Sequence, residues 1–76
     1  MTNFEAKMER HTYTIEVEYY DGSSFSFDVI FEGSHLHHMA NLMQVTRGTL
    51  MASSAAKATA YNQDGFDIFS YTQKMH

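Results

Sequence analysis

Three histidines, His35, His37 and His38, crowd into four positions of the stretch "FEGSHLHHMANLM". Imidazole is the commonest metal ligand and titrates near neutral pH, so this cluster is the first place to look for chemistry. On a helix, His35 and His38 would lie on the same face, where two ligands can meet. A structural zinc site needs four ligands and a catalytic one needs three, and no obvious third ligand is nearby. His35 and His38 are therefore only weak metal candidates, and we expect no metal and no cofactor.

The simpler interpretation makes the histidines part of the first turn of a helix. They would then be partly exposed, while Leu36 and Met39 pack against the rest of the protein. A pH-sensitive interface is an alternative, because histidine changes its charge near neutral pH.

Carboxylates are the second candidate for chemistry. Glu16, Glu18 and Asp28 can cluster on one face of a sheet as paired acids. An exposed acidic face is the favoured interpretation, because small antiparallel sheets usually leave one face in water. The sequence contains neither a GxSxG nor a GxGxxG motif, so we expect a protein without enzymatic activity.

The distribution of charged residues limits the classes of partner that the protein can bind. The chain has a net charge of −4, and the window from residue 11 to residue 46 contains five acids and no Lys or Arg. Direct binding to nucleic acid requires a basic face, so we do not expect it. The sequence also lacks cysteine, a signal peptide and an apolar run long enough to span a membrane, which leads us to expect a cytoplasmic protein with no membrane partner.

Two alternating stretches, "YTIEVEY" and "SFSFDVIF", predict the first β-hairpin. Directly opposed residues of an antiparallel pair share a face, so the loop length decides whether the two apolar sets meet. A three-residue loop, Tyr20-Asp21-Gly22, sets Val17 opposite Phe25 and Ile15 opposite Phe27. A two-residue loop would place the apolar sets on opposite faces, so we predict the longer loop with Gly22 left-handed.

The next segment predicts a helix that starts after Ser34, a favourable N-cap residue. Gly48 either ends this helix or lies inside it at a cost of about 1 kcal/mol. We prefer continuation to about Ser53, because the apolar stripe resumes in phase at Leu50. The residues of the stripe are Leu36, Met39, Met43 and Leu50, widened by Ala40, Leu42 and Met51.

A second hairpin follows, with a predicted loop of Gln63-Asp64-Gly65 that pairs Asn62 with Phe66. That register sets Ala60 opposite Ile68 and directs the alanines toward the helix. It leaves an aromatic set, Tyr61, Phe69 and Tyr71, on the other face of the sheet.

The elements together predict an α+β domain of the β-hairpin–helix–β-hairpin (ββαββ) type. Its four-stranded antiparallel sheet would carry one helix on one face. We expect this domain to occupy residues 11–76, after a frayed or short-helical segment at residues 1–10.

The functional hypothesis is a small, acidic, non-enzymatic protein-binding module. Its partner would be another protein with a basic surface, such as a bacterial nucleic-acid-handling protein. In size and acidity the chain is similar, in a general way, to small inhibitors or adaptors of phages and mobile elements. The alternatives are a self-associating domain that forms a homodimer through an aromatic face or an edge strand, and a histidine-based metal-binding protein. The expected partner-binding residues are Tyr61, Phe69, Tyr71, Glu16, Glu18 and Asp28.

Overall fold

The protein folds into two β-hairpins joined by one helix in the computed structural model, which describes residues 9–74. The elements are β1 (Glu9–Glu18), β2 (Ser24–Gly33), α1 (His35–Ser53), β3 (Lys57–Tyr61) and β4 (Asp67–Thr72). The strands form one antiparallel sheet in the order β2-β1-β3-β4. This architecture confirms the predicted ββαββ fold. Most of the segment predicted to be frayed or helical lies outside the described residues, and β1 already begins at Glu9.

The first hairpin has the predicted register, with Val17 opposite Phe25 and Ile15 opposite Phe27. The loop contains three residues, because Tyr19 donates its backbone N–H to the Ser23 carbonyl at 2.8 Å. Gly22 has φ +92°, a left-handed conformation that costs a glycine little. The apolar sets of both strands therefore face the helix, and the acidic sets face away from it.

The second hairpin confirms the predicted loop but not the predicted strand register. Asn62 donates its backbone N–H to the Phe66 carbonyl at 2.9 Å, as expected. A β-bulge then shifts the register between Ala60 and Tyr61, so that Ala60 lies opposite Phe69 rather than Ile68. The extra residue on β4 reverses the facing of the residues that follow it.

Ser34 is the N-cap of helix α1, and its hydroxyl accepts the His37 backbone N–H at 3.3 Å. It continues through Gly48 to Ser53, as predicted, and ends where Ser54 turns left-handed at φ +55°.

The helix presents a different face to the sheet than the apolar stripe predicted. Leu36 and Met51 are 76% and 65% exposed, and Met43 is also exposed, whereas Met39 is half-buried. The fully packed residues recur at every fourth position: His38, Leu42, Thr46 and Leu50. Polar side chains can take two of these positions because their hydrogen bonds are satisfied. The Thr46 hydroxyl, for example, donates to the Leu42 carbonyl at 2.6 Å.

The core lies between this face of α1 and the middle of the sheet. Ala58 and Ala60 of β3 are fully buried, and such small side chains let a helix approach the strands closely. The buried apolar residues are Tyr13, Ile15, Val17, Leu42, Leu50, Ala55, Ala58 and Ala60. Within residues 9–74, no helix has the length and apolar character that crossing a membrane requires.

Candidate functional site

The sheet face turned away from α1, the open face, carries the three acids that the sequence singled out. Glu16 has Ser26 and Thr59 as cross-strand neighbours, and Asp28 has Thr14. Glu18 lies two residues after Glu16 on β1 and therefore on the same side. The predicted clustering of these carboxylates on one face is confirmed, and their role in binding stays a prediction.

Tyr61 lies on the open face beside these acids, since it is the cross-strand partner of Thr14. Its hydroxyl donates a hydrogen bond to Glu16 Oε1 at 3.1 Å. Burial raises the pKa of the Tyr61 phenol, and the bond to the negative Glu16 carboxylate raises it further. The phenol thus stays protonated at neutral pH and holds one oxygen of Glu16 in place.

A second hydroxyl holds Asp28. Thr14 donates to Asp28 Oδ1 at 2.9 Å, across the β1–β2 pair. Residues at diagonal positions of such a pair lie about 7–8 Å apart, so Glu16 and Asp28 are near neighbours. The open face therefore presents two carboxylates whose positions are set by strand-borne hydroxyl groups.

The outer acids of the open face have basic neighbours. Glu18 lies directly opposite Lys57, and Glu32 approaches Arg10 at 3.9 Å. The central carboxylates Glu16 and Asp28 instead have hydroxyl-bearing neighbours, so the uncompensated negative charge lies at the centre of the face. A shallow depression of about 520 Å³ adjoins it, between β1 and the β3–β4 loop.

Two of the six residues predicted to bind a partner lie elsewhere. Phe69 and Tyr71 point to the helix side of the sheet, opposite Ala60 and Ala58, and pack against the buried core. Their rings stack on each other with centroids 6.5 Å apart. The prediction that Tyr61, Phe69 and Tyr71 share one open aromatic face is wrong, because the β4 bulge reverses the facing of the last two.

His38 has a structural role that the sequence interpretation missed. Its side chain is 1% exposed, and Nε2 lies 3.0 Å from the Glu9 carbonyl oxygen. A carbonyl only accepts, so Nε2 carries the proton and Nδ1 accepts the Tyr13 hydroxyl at 3.0 Å. The sequence signal for its burial is that His38 lies four residues before Leu42, on the same face of the helix. The more strongly apolar Leu36 and Met39 indicated a different buried face.

A polar cluster surrounds this histidine at the start of β1. The ring of His11 meets His38 edge-on, with centroids 5.1 Å apart, and His11 Nε2 lies 2.9 Å from Glu9 Oε1. Burial raises the pKa of the Tyr13 phenol, and the negative charge of Glu9 raises it further. The cluster ties the first turns of α1 to β1 through side-chain bonds.

The two weak metal candidates do not combine into a site. Both ring nitrogens of His38 are engaged by protein groups, whereas His35 is exposed and lines a cavity of about 390 Å³. This cavity also has Tyr13, Met39 and Ile68 in its walls. In the part of the chain that the structure describes, no group of three or more metal-ligating side chains converges.

Comparison of the chain with family models, with curated proteins and with solved structures found no match. Function is therefore inferred from the geometry of the open face and of the sheet edges.

Proposed function

We propose that this protein is a small, non-enzymatic binding module whose open sheet face recognises a basic protein surface. The observation that carries the proposal is the central pair, Glu16 and Asp28, each held by a hydroxyl donor and neither directly opposite a lysine or arginine. A lysine or arginine of a partner would supply the positive charge that the face lacks.

The chemistry of the face suits arginine in particular. A guanidinium group forms charge-assisted hydrogen bonds with carboxylates and also stacks on aromatic rings. Glu16, Asp28 and Tyr61 offer both kinds of contact within one small area. Because the carboxylates are already oriented, less side-chain freedom is lost when the partner binds.

The acidic window, residues 11–46, also indicates which class of protein the partner belongs to. Like-signed charge across the first hairpin raises the encounter rate with basic surfaces and disfavours acidic ones. The strongly basic surfaces of bacterial cells include the nucleic-acid channels of polymerases, nucleases and repressors. An inhibitor or adaptor that occupies such a channel, of the type encoded by phages, is the function we infer.

A charge-neutralising variant tests the face directly. Glu16→Gln combined with Asp28→Asn removes two negative charges while preserving the shape of both side chains. The matched control, Asp21→Asn with Asp64→Asn, removes the same charge from the two hairpin loops. Each protein would be used as bait in a bacterial lysate at low and raised salt, and the captured proteins would be quantified by mass spectrometry.

We expect the wild type and the loop control to capture the same partner, and the open-face variant to lose at least about 90% of it. Raised salt should weaken capture in both proteins that bind, because exposed charges are screened. If the open-face variant captures the same partner as well as the control does, the open face is not the binding site.

A further inference from the structure

The edge strand β2 is the least protected part of this sheet. It pairs with β1 over ten uninterrupted residue pairs, and β1 is its single neighbour in the strand order of residues 9–74. Natural proteins shield such edges with charged side chains, lysine above all, and with proline, bulges or short strands; of these, β2 has two acids, Asp28 and Glu32. The opposite edge, β4, has six residues and a bulge in its pairing, whereas β2 contains no lysine, proline or bulge.

The hydrogen-bond pattern identifies the free backbone groups of β2. In an antiparallel pair, residues that exchange hydrogen bonds alternate with residues that do not. The Tyr19–Ser23 bond sets the phase, so the odd-numbered residues of β2 bond to β1. The backbone N–H and C=O groups of Ser26, Asp28 and Ile30 therefore point outward, away from β1.

An incompletely covered apolar row runs beside this free backbone. The helix-facing side chains of β2 are Phe25, Phe27, Val29 and Phe31. Phe25 remains 45% exposed, and the other three are only partly buried. The edge thus combines unpaired backbone groups with side chains that gain from further burial, and a β-strand is the structure that satisfies both.

We propose that the occupant of this edge is a second copy of the chain, paired antiparallel through β2 around a two-fold axis at Val29. An axis at Asp28 would set two carboxylates directly opposite each other, which is destabilising. An axis at Val29 instead sets Asp28 opposite Ile30 of the second copy and Phe27 opposite Phe31 of the second copy. In this register, the residues that exchange backbone hydrogen bonds between the two copies are those whose N–H and C=O groups point away from β1.

This register gives the dimer a defined structure. The two sheets join into one sheet of eight strands, with about eight new backbone hydrogen bonds at the seam. The aromatic rows of both copies meet on the helix side. The open faces remain exposed and continue across the seam, where Asp28 of each copy lies diagonal to Asp28 of the other.

A cysteine placed on the axis tests the register. The chain has no cysteine of its own, so Val29→Cys introduces a single thiol per copy. Val29 and its copy would face each other as a pair without mutual backbone hydrogen bonds. The Cα atoms of such a pair lie about 4.5 Å apart, a distance that a disulfide can bridge. The control is Ser70→Cys, an exposed position on the other edge strand. Both variants would be oxidised with glutathione and followed on non-reducing gels.

We expect Val29→Cys to form the covalent dimer at least tenfold faster than Ser70→Cys. Sedimentation equilibrium of the wild type should give twice the chain mass of 8.7 kDa. Ile30→Pro, which removes an outward N–H, should return the mass to that of one chain, and Ser70→Pro should not.

Three results would overturn the proposal. The first is a wild type that keeps the mass of one chain at protein concentrations up to about 1 mM, which would put the Kd of the dimer above that value. The second is equal oxidation of the two cysteine variants. The third is a dimer in which Val29→Cys forms no cross-link and which the Met43→Lys substitution dissociates. That outcome would place the interface on the exposed side of α1.

Discussion

The pair formed by Tyr13 and His38 shows how polar side chains are accommodated in a core this small. Each ring is almost completely buried, and each supplies the hydrogen bond that the other requires. The Glu9 carbonyl completes the set by accepting from the second ring nitrogen. A buried polar network of this kind is stabilising only while every member is satisfied.

Removing the Tyr13 hydroxyl should therefore be costly. Tyr13→Phe leaves His38 Nδ1 as a buried acceptor without a donor, and we expect a loss of about 1–3 kcal/mol in the free energy of unfolding. Tyr61→Phe is the matched control, because it removes a phenol hydroxyl from the more accessible Glu16. Its expected cost is about 1 kcal/mol or less. Urea denaturation followed by circular dichroism measures both, and equal costs would contradict the assigned role of Tyr13.

The same phenol makes stability sensitive to alkaline pH. The folded protein raises the pKa of Tyr13, so the folded state binds this proton more tightly than the unfolded state does. The resulting stability is fully present below the unfolded pKa of about 10 and is lost as the pH rises through the folded pKa.

Denaturation between pH 8 and pH 11 tests this linkage. We expect the free energy of unfolding to fall more steeply above about pH 10 in the wild type than in Tyr13→Phe. Tyr61, whose pKa is also raised, contributes in the same direction, so Tyr61→Phe should flatten the slope as well. A Tyr13→Phe profile parallel to that of the wild type would show that the Tyr13 proton is not linked to folding.

At the scale of the elements, the helix contains one position that can be improved. Gly48 lies inside α1, and a Cβ atom added there would meet nothing within 4 Å. Gly48→Ala should raise the free energy of unfolding by up to about 1 kcal/mol, because alanine loses less backbone entropy in a helix. Thermal unfolding at a fixed protein concentration is the appropriate measurement.

Gly65→Ala provides the contrast, since its Cβ would also meet no atom but its φ is +88°. Alanine pays roughly 1–2 kcal/mol in that left-handed region, so this variant should melt at a lower temperature. If Gly48→Ala also lowers the melting temperature, the helix does not run through Gly48 in solution.

The two hairpins show where prediction of an element from sequence succeeds and where it does not. In the first, large apolar residues recur at every second position of both strands, and a single loop length brings the two sets to one face, although Ile30 is also apolar and lies on the other face. In the second, Ile68 and Phe69 are adjacent apolar residues, so alternation alone cannot show which of them faces the helix. The bulge resolves this by packing both against the core.

At the scale of the whole molecule, a chain of 76 residues has a small core. Such a chain buries only about 60% of its unfolded surface, so burial at an interface would add a large share to its stability. The structure also separates two kinds of surface: the acids lie across the open face, and the incompletely covered apolar row lies along β2. One surface suits a basic partner, and the other suits a strand.

Self-association through β2 predicts that stability depends on protein concentration. The folded dimer is favoured over separate unfolded chains by mass action. We expect the melting temperature of the wild type to rise by several degrees over a hundredfold increase in concentration, measured by scanning calorimetry and fluorescence. The Ile30→Pro variant should have the same melting temperature at every protein concentration. A wild type whose melting temperature is equally constant would argue against a dimer.

The sequence by itself determined the elements of this protein, their order and the facing of the first hairpin. Those features depend on local physics: two-residue alternation, the glycines of the turns and the N-cap at Ser34. Only the tertiary structure decided which side of α1 is buried, and that Phe69 and Tyr71 leave the open face. Both outcomes depend on long-range contacts. The Tyr13 hydroxyl and Glu9 carbonyl make a histidine an acceptable core residue. The β4 bulge lets Ile68, Phe69 and Tyr71 all pack against the core.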